Sequence, residues 1–108
     1  MARSTLHLKT REILLEKYPT LTICEECPIT LRRGEIAYID FYLPLLKIAI
    51  EVNGEQHFKY IPHFHGSAQV FLRAKKRDRD KAEWCERNGI KLVNLNYNED
   101  IEEWKTKI

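Results

Sequence analysis

The stretch Ala37-Tyr38-Ile39-Asp40-Phe41-Tyr42-Leu43-Pro44-Leu45-Leu46-Lys47-Ile48-Ala49-Ile50-Glu51-Val52-Asn53 reads as two apolar strands joined at a proline-bearing turn. Strands are expected over 37–43 and 46–53, because both runs are rich in β-branched and aromatic residues. A turn centred between Leu45 and Leu46 sets the register and puts Asp40 opposite Glu51. Directly opposed residues on paired strands have Cβ atoms roughly 4.5–5.5 Å apart, and like charges there are destabilising. Two carboxylates side by side among Ile, Val, Phe and Tyr need a compensating cation. A hard divalent ion such as Mg²⁺ suits them, since it binds through one or two carboxylates plus waters and phosphate oxygens.

Outward from this hairpin, the sequence predicts a helix from Ser4 or Thr5 to about Tyr18, ended by Pro19. Glu12 falls between Leu8 and Leu15, so it is expected on the inward stripe, reaching toward the carboxylate pair. Leu21 to Cys27 is a predicted strand, followed by a loop from Pro28 to Gly34. The segment from Glu55 to Ser67 reads as a long irregular loop carrying Pro62, Gly66 and three histidines. A long helix is predicted from Ala68 to Asn88 with Gly89 just past its end. A strand over 90–95 and a short helix over 98–104 complete the order α-β-β-β-α-β-α. That order predicts an α/β fold with a central mixed sheet flanked by helices.

At 108 residues the sequence is expected to form one domain, 1–108, with one core. No apolar run approaches the roughly 18 residues that a membrane span needs, and the N-terminus has no apolar stretch of signal-peptide type. The expected setting is therefore cytoplasmic, with no membrane partner. Charge is uneven. Six basic residues against two acidic ones between Arg73 and Lys81 make that segment +4, so the rest of a +2 chain carries −2. A basic stripe on a mildly acidic body is the footprint of a nucleic-acid binder; a solvated helix face explains it equally well. Arg73, Arg77 and Lys81 fall at i, i+4 and i+8. Asp78 interrupts the apolar stripe Phe71-Ala74-Ala82-Cys85, which implies either a site role or an ion pair with Lys81 or Arg77.

Cys24-Glu25-Glu26-Cys27, with His63 and His65, offers a weak zinc pattern. There is no second C-x-x-C, and in a regular strand Cys24 and Cys27 point to opposite faces. On the second hairpin strand, alternation sends Glu51 and Asn53 to the same side as Asp40, with Gln56 and His57 just beyond. Oxygen ligands for a hard metal and donors for a phosphate are thereby gathered at one strand end.

These elements resemble the core of the PD-(D/E)XK nucleases, and most closely the small very-short-patch-repair-like branch that includes phage homing and intron-associated endonucleases. Ile39-Asp40-Phe41-Tyr42-Leu43-Pro44 is similar to that branch's entry motif. Glu51-Val52-Asn53-Gly54-Glu55-Gln56-His57-Phe58 is similar to its E-x-x-G-x-Q-H-[FY] element. Arg77-Asp78 to Lys81, Cys85 and Asn88-Gly89-Ile90 resemble its downstream helix and last strand. The resemblance implies a restriction-endonuclease-like α-β-β-β-α-β core and Mg²⁺- or Mn²⁺-dependent hydrolysis of DNA, either nicking or cutting both strands as a homodimer. It implies Asp40 and Glu51 as metal ligands with the Val52 carbonyl, and Glu12 as a possible match to the helical acid of some members. The superfamily's lysine falls at Asn53, which cannot act as a base, so the resemblance passes water activation to Gln56 and His57, with Lys47, Lys59 and Lys81 in reserve. Arg73, Lys76, Arg77, Lys81, Lys59 and His65 are the expected DNA contacts. The alternative expectation is a nuclease-fold module that binds nucleic acid without cutting it.

Overall fold

A computed structural model describes residues 5–54 and 66–108. The chain runs α1 (Thr5–Lys17), β1 (Cys24–Thr30), β2 (Ile36–Leu43), β3 (Ile48–Asn53), α2 (Ala68–Arg87), β4 (Lys91–Asn96) and α3 (Ile101–Lys107). The expected α/β class and element order hold. The four strands form one mixed sheet in the order β1-β2-β3-β4, antiparallel except for β3 and β4. Parallel pairing of consecutive strands requires a crossover, and α2 is that crossover.

Two apolar layers sandwich the sheet. On one side Ile13 and Leu14 of α1 and Trp104 and Ile108 at the C-terminus pack on Phe41, Leu43, Ile50, Val93 and Leu95. On the other, Cys85 of α2 packs with Ile29, Leu31, Ala37, Ile39, Ala49 and Ile90. Trp104 is fully buried and its indole N–H donates to the Asn96 carbonyl at 3.1 Å. Tyr18 Oη donates to the carbonyl of Ile108 at 3.0 Å, and Lys17 binds the same oxygen, so both ends of the described chain are fastened together.

The sheet departs from simple alternation at one place. Ile23 and Glu25 lie toward α1, whereas Cys27 and Ile29 lie toward α2; Phe41 and Leu43 lie toward α1, whereas Ala37 and Ile39 lie toward α2. Odd-numbered residues thus change face on both strands between the rungs Glu25–Phe41 and Cys27–Ile39. The intervening Glu26 has φ 49, a left-handed backbone that turns the strand over.

Two boundaries and one helix face differ from the sequence expectation. The first strand is Cys24–Thr30 rather than 21–27, because Pro28 is tolerated on an edge strand, where a missing N–H breaks no sheet. Its turn to β2 is closed by Leu31 N–H to Glu35 O at 2.8 Å, with Gly34 at φ 83. On α1 the inward positions are His7, Thr10, Ile13 and Leu14, so Glu12, Leu8 and Leu15 are exposed instead. The inward face is partly polar because β1 supplies a partner. Glu25 accepts hydrogen bonds from Arg11 Nε and Nη2, at 3.0 and 2.8 Å, and lies 2.9 Å from His7, which stacks on Phe41. The last helix begins at Ile101, where Asp100 accepts from Glu103 N–H as its N-cap.

Candidate active site

The hairpin register Leu43–Ile48, Tyr42–Ala49, Phe41–Ile50 carries one step further to Asp40 and Glu51, as expected from the sequence. At that step side chains take over from backbone rungs. The Asp40 N–H donates to Glu51 Oε2 at 3.3 Å, and the Val52 N–H donates to Asp40 Oδ2 at 2.8 Å. Each carboxylate is held by the backbone of the opposite strand, so neither is free to swing away from the other.

Glu51 projects from the same side as Ala49, toward α2, and is only 8% exposed. Its Oε1 lies 2.9 Å from Lys81 Nζ, whose side chain is itself 14% exposed. Oε1 is thus a buried oxygen paired with the Lys81 ammonium. Burial first, and then the charge and hydrogen bond of Asp40, push the Glu51 carboxyl up to about 8; Lys81 opposes them without overcoming them. Glu51 therefore keeps its proton to higher pH than an ordinary carboxyl, even with an ammonium beside it.

The pair opens onto a cavity of about 330 Å³ lined by Glu51, Asn53, Lys75, Asp78, Lys81, Leu92, Asn94 and Asn96. Three elements build it. Lys75, Asp78 and Lys81 are spaced i, i+3, i+6 on one stripe of α2. Leu92, Asn94 and Asn96 alternate on one face of β4. Asn53 at the end of β3 joins the two strands, with its Nδ2 donating to both Asn94 Oδ1 and Asn96 Oδ1 at 3.0 Å. The amide at the expected lysine position is therefore a hydrogen-bonding hub. Lys107 Nζ braces the same strand by donating to the Asn94 carbonyl at 2.8 Å and to Glu99 at 2.7 Å.

The donor set suits a hard divalent cation. It combines two opposed carboxylates, one of them buried, with the Val52 backbone. Lys91 N–H to Lys47 O and Tyr97 N–H to Asn53 O show that odd residues of β3 bond β4, so Val52 turns its N–H and carbonyl to the β2 side. Among the described residues no group of three or more His, Cys, Asp or Glu gathers for a metal; the donors that could hold one here are two acids and a backbone carbonyl.

Asp40, Glu51, Val52 and Asn53 come together. Glu12 does not join them, because α1 packs on the other face of the sheet and Glu12 is on its outer side. Lys81, expected on the DNA-facing stripe, is turned inward onto Glu51. Arg73 and Arg77 are exposed, and Lys76 pairs with Asp80 at 3.2 Å. Lys76 lines a larger cavity of about 380 Å³ with Arg32, Arg33, Trp84 and Arg87, which includes neither acid of the pair. Gln56, His57, Lys59, His63 and His65 lie outside the described residues. Lys75, Asn94 and Asn96 were not singled out from the sequence, although the period-2 pattern Leu92-x-Asn94-x-Asn96 carried the signal.

No family model matches the sequence, and no solved structure matches it. The chain is similar to viral proteins. It is 42% identical over 59 residues to Uncharacterized protein 307L of Invertebrate iridescent virus 6, covering 55% of this chain and 30% of that one. It is 38% identical over 77 residues to Uncharacterized protein 094L of Frog virus 3, covering 69% of this chain and 50% of that one. It is 31% identical over 70 residues to Uncharacterized protein 033L of Invertebrate iridescent virus 3, covering 65% and 34%. The chain thus spans between about a third and a half of the curated relatives it matches.

Proposed function

We propose that the chain is a metal-dependent DNA endonuclease with a restriction-endonuclease-like core, of homing or repair type. Asp40 and Glu51 would hold Mg²⁺ or Mn²⁺, with the Val52 carbonyl beside them. The observation that carries this reading is the buried Glu51 carboxylate held against a second carboxylate, at the edge of an open polar cavity. A divalent ion there supplies charge neutralisation of a phosphate and acidification of a bound water.

The chain's own groups supply the rest. Lys81 places a positive charge beside Glu51, where it can stabilise a phosphate drawn to the pair. Lys75 adds a second cation to the cavity wall. Asn53 orients Asn94 and Asn96 by taking their carbonyl oxygens, which leaves their N–H groups as donors for a nucleotide. Exposed Arg73 and Arg77 on α2 suit backbone contacts to DNA. One such site cuts one strand, so double-strand cutting requires a homodimer.

A second reading, a nucleic-acid-binding module without catalysis, is favoured by one feature: Lys81 already supplies a cation to Glu51. Supercoiled plasmid incubated with the protein and Mg²⁺ or Mn²⁺ separates the two. The endonuclease reading expects nicked or linear product that disappears in Asp40→Ala and Glu51→Ala. DNA retention without product in either metal supports the binding module and overturns catalysis.

A further inference from the structure

Cys24 and Cys27 flank Glu26, the residue whose left-handed backbone turns β1 over. In a regular strand, positions three apart face opposite ways. Here they do not. Cys24 pairs with Tyr42 and Cys27 with Ile39, and both partners belong to the apolar layer beneath α2. Cross-strand partners project from the same face of a sheet, so both thiols lie on the α2 side. The expectation from sequence, that they diverge, is overturned by the single positive φ between them. Both are half-buried and unoxidised. Their thiols also interact: burial, followed by a hydrogen bond with Cys24, pushes the Cys27 thiol up to about 11.

The juxtaposition admits two chemistries, a soft-metal site or a disulfide. Structural zinc takes four ligands, and among the described residues no third His, Cys, Asp or Glu joins the two cysteines. The third cysteine, Cys85, is buried at 1% exposure in the core and is closed to external reagents. Left-handed backbone is disfavoured for a non-glycine residue. At Glu26 that conformation brings two partly accessible thiols to one face.

We propose that Cys24 and Cys27 form a reversible intramolecular disulfide by exchange with a low-molecular-weight disulfide such as oxidised glutathione. The Cys24 thiolate attacks one sulfur of the oxidant, forming a mixed disulfide and releasing one glutathione thiolate. The Cys27 thiolate then attacks Cys24 Sγ, forming the Cys24–Cys27 bond and releasing the second glutathione thiolate. The two protons lost by the cysteines pass to the two released thiolates, and two electrons pass from the cysteine pair to the oxidant. Cys27, which packs against the apolar layer beneath α2, is the resolving partner. The bridge spans Glu26, the residue that register places opposite Asp40. Its formation does not depend on whether Asp40 and Glu51 hold a cation.

The test is an intact-mass and peptide-mapping titration of the full chain in mildly alkaline glutathione buffers of rising oxidised fraction. The expected result is loss of the mass of two hydrogen atoms, mapped to the Cys24–Cys27 peptide and reversed by dithiothreitol. Cys85→Ser behaves the same way, whereas Cys24→Ser and Cys27→Ser each gain one glutathione on the remaining thiol. The proposal is overturned if glutathione accumulates on both cysteines without hydrogen loss. It is equally overturned if the bridge maps to Cys85, if the pair stays reduced in fully oxidised buffer, or if purified protein carries stoichiometric zinc lost in both serine variants.

Discussion

Glu51 Oε1 sits 2.9 Å from the Lys81 ammonium, while its other oxygen accepts the backbone N–H of Asp40, the acid it faces across the hairpin. The carboxyl is therefore drawn three ways, by burial, a like charge and an opposite charge. The first two prevail.

A pH dependence of stability follows. A carboxyl whose proton affinity is higher in the fold than in the unfolded chain binds more protons when folded, so stability falls as pH rises through the window between the two values. For Glu51 that window runs from the ordinary 4.5 to about 8. Urea denaturation in metal-free buffer should show wild type weakening across this range relative to Glu51→Gln. Asp40→Asn, which removes the like charge, should show a shallower slope. Parallel curves for all three would contradict the assignment.

Lys81 should be required for turnover rather than for folding. Its ammonium lowers the Glu51 proton affinity, so Lys81→Met should move the pH-dependent loss of stability further to the alkaline side. Loss of a positive charge at a reacting phosphate typically costs about 100-fold or more in rate, and plasmid nicking by Lys81→Met should fall by about that factor. Lys81→Arg should recover part of it.

Asn53 is expected to be structural. Asn53→Ala removes both hydrogen bonds to Asn94 and Asn96. Each such bond contributes roughly 0.5–1.5 kcal/mol, so a loss of about 1–3 kcal/mol is expected in chemical denaturation. A rate defect larger than that of Lys81→Met would instead make Asn53 a participant in the chemistry.

The C-terminal helix anchors one layer of the core through Trp104. Trp104→Ala should destabilise by about 3–5 kcal/mol. Trp104→Phe keeps most of the apolar volume but loses the hydrogen bond to Asn96, and should cost clearly less. Equal losses would show that the packing of the indole is not what holds the helix.

The hairpin and its register were legible because two apolar runs flank one turn, and symmetry about Leu45 and Leu46 fixes Asp40 against Glu51. The mixed sheet was legible from the order of elements. The face change at Glu26 was not, since left-handed backbone at a glutamate leaves no mark of the kind glycine leaves. Pro28 shifted the expected β1 by three residues, and the missed face change misplaced the two thiols. Glu12 was misplaced because Leu8 and Leu15 suggested an apolar stripe. The buried face instead follows His7, Thr10 and Leu14, and His7 depends on Glu25 and Phe41 brought in from elsewhere in the chain. Lys81 was visible as a basic residue on a basic helix, but nothing local distinguished it from Arg77; only the crossover of α2 over β3 turns it onto Glu51.

The central claim is that Asp40 and Glu51 form one divalent-cation site, and calorimetric titration of the metal-free protein with Mn²⁺ tests it most directly. The account predicts one ion per chain, proton release on binding below about pH 8 as Glu51 deprotonates, and loss of the binding event in both Asp40→Asn and Glu51→Gln. Binding that survives in both variants, or no binding by the wild type at any pH from 6 to 9, on the order of two units around the carboxyl's titration, would contradict it.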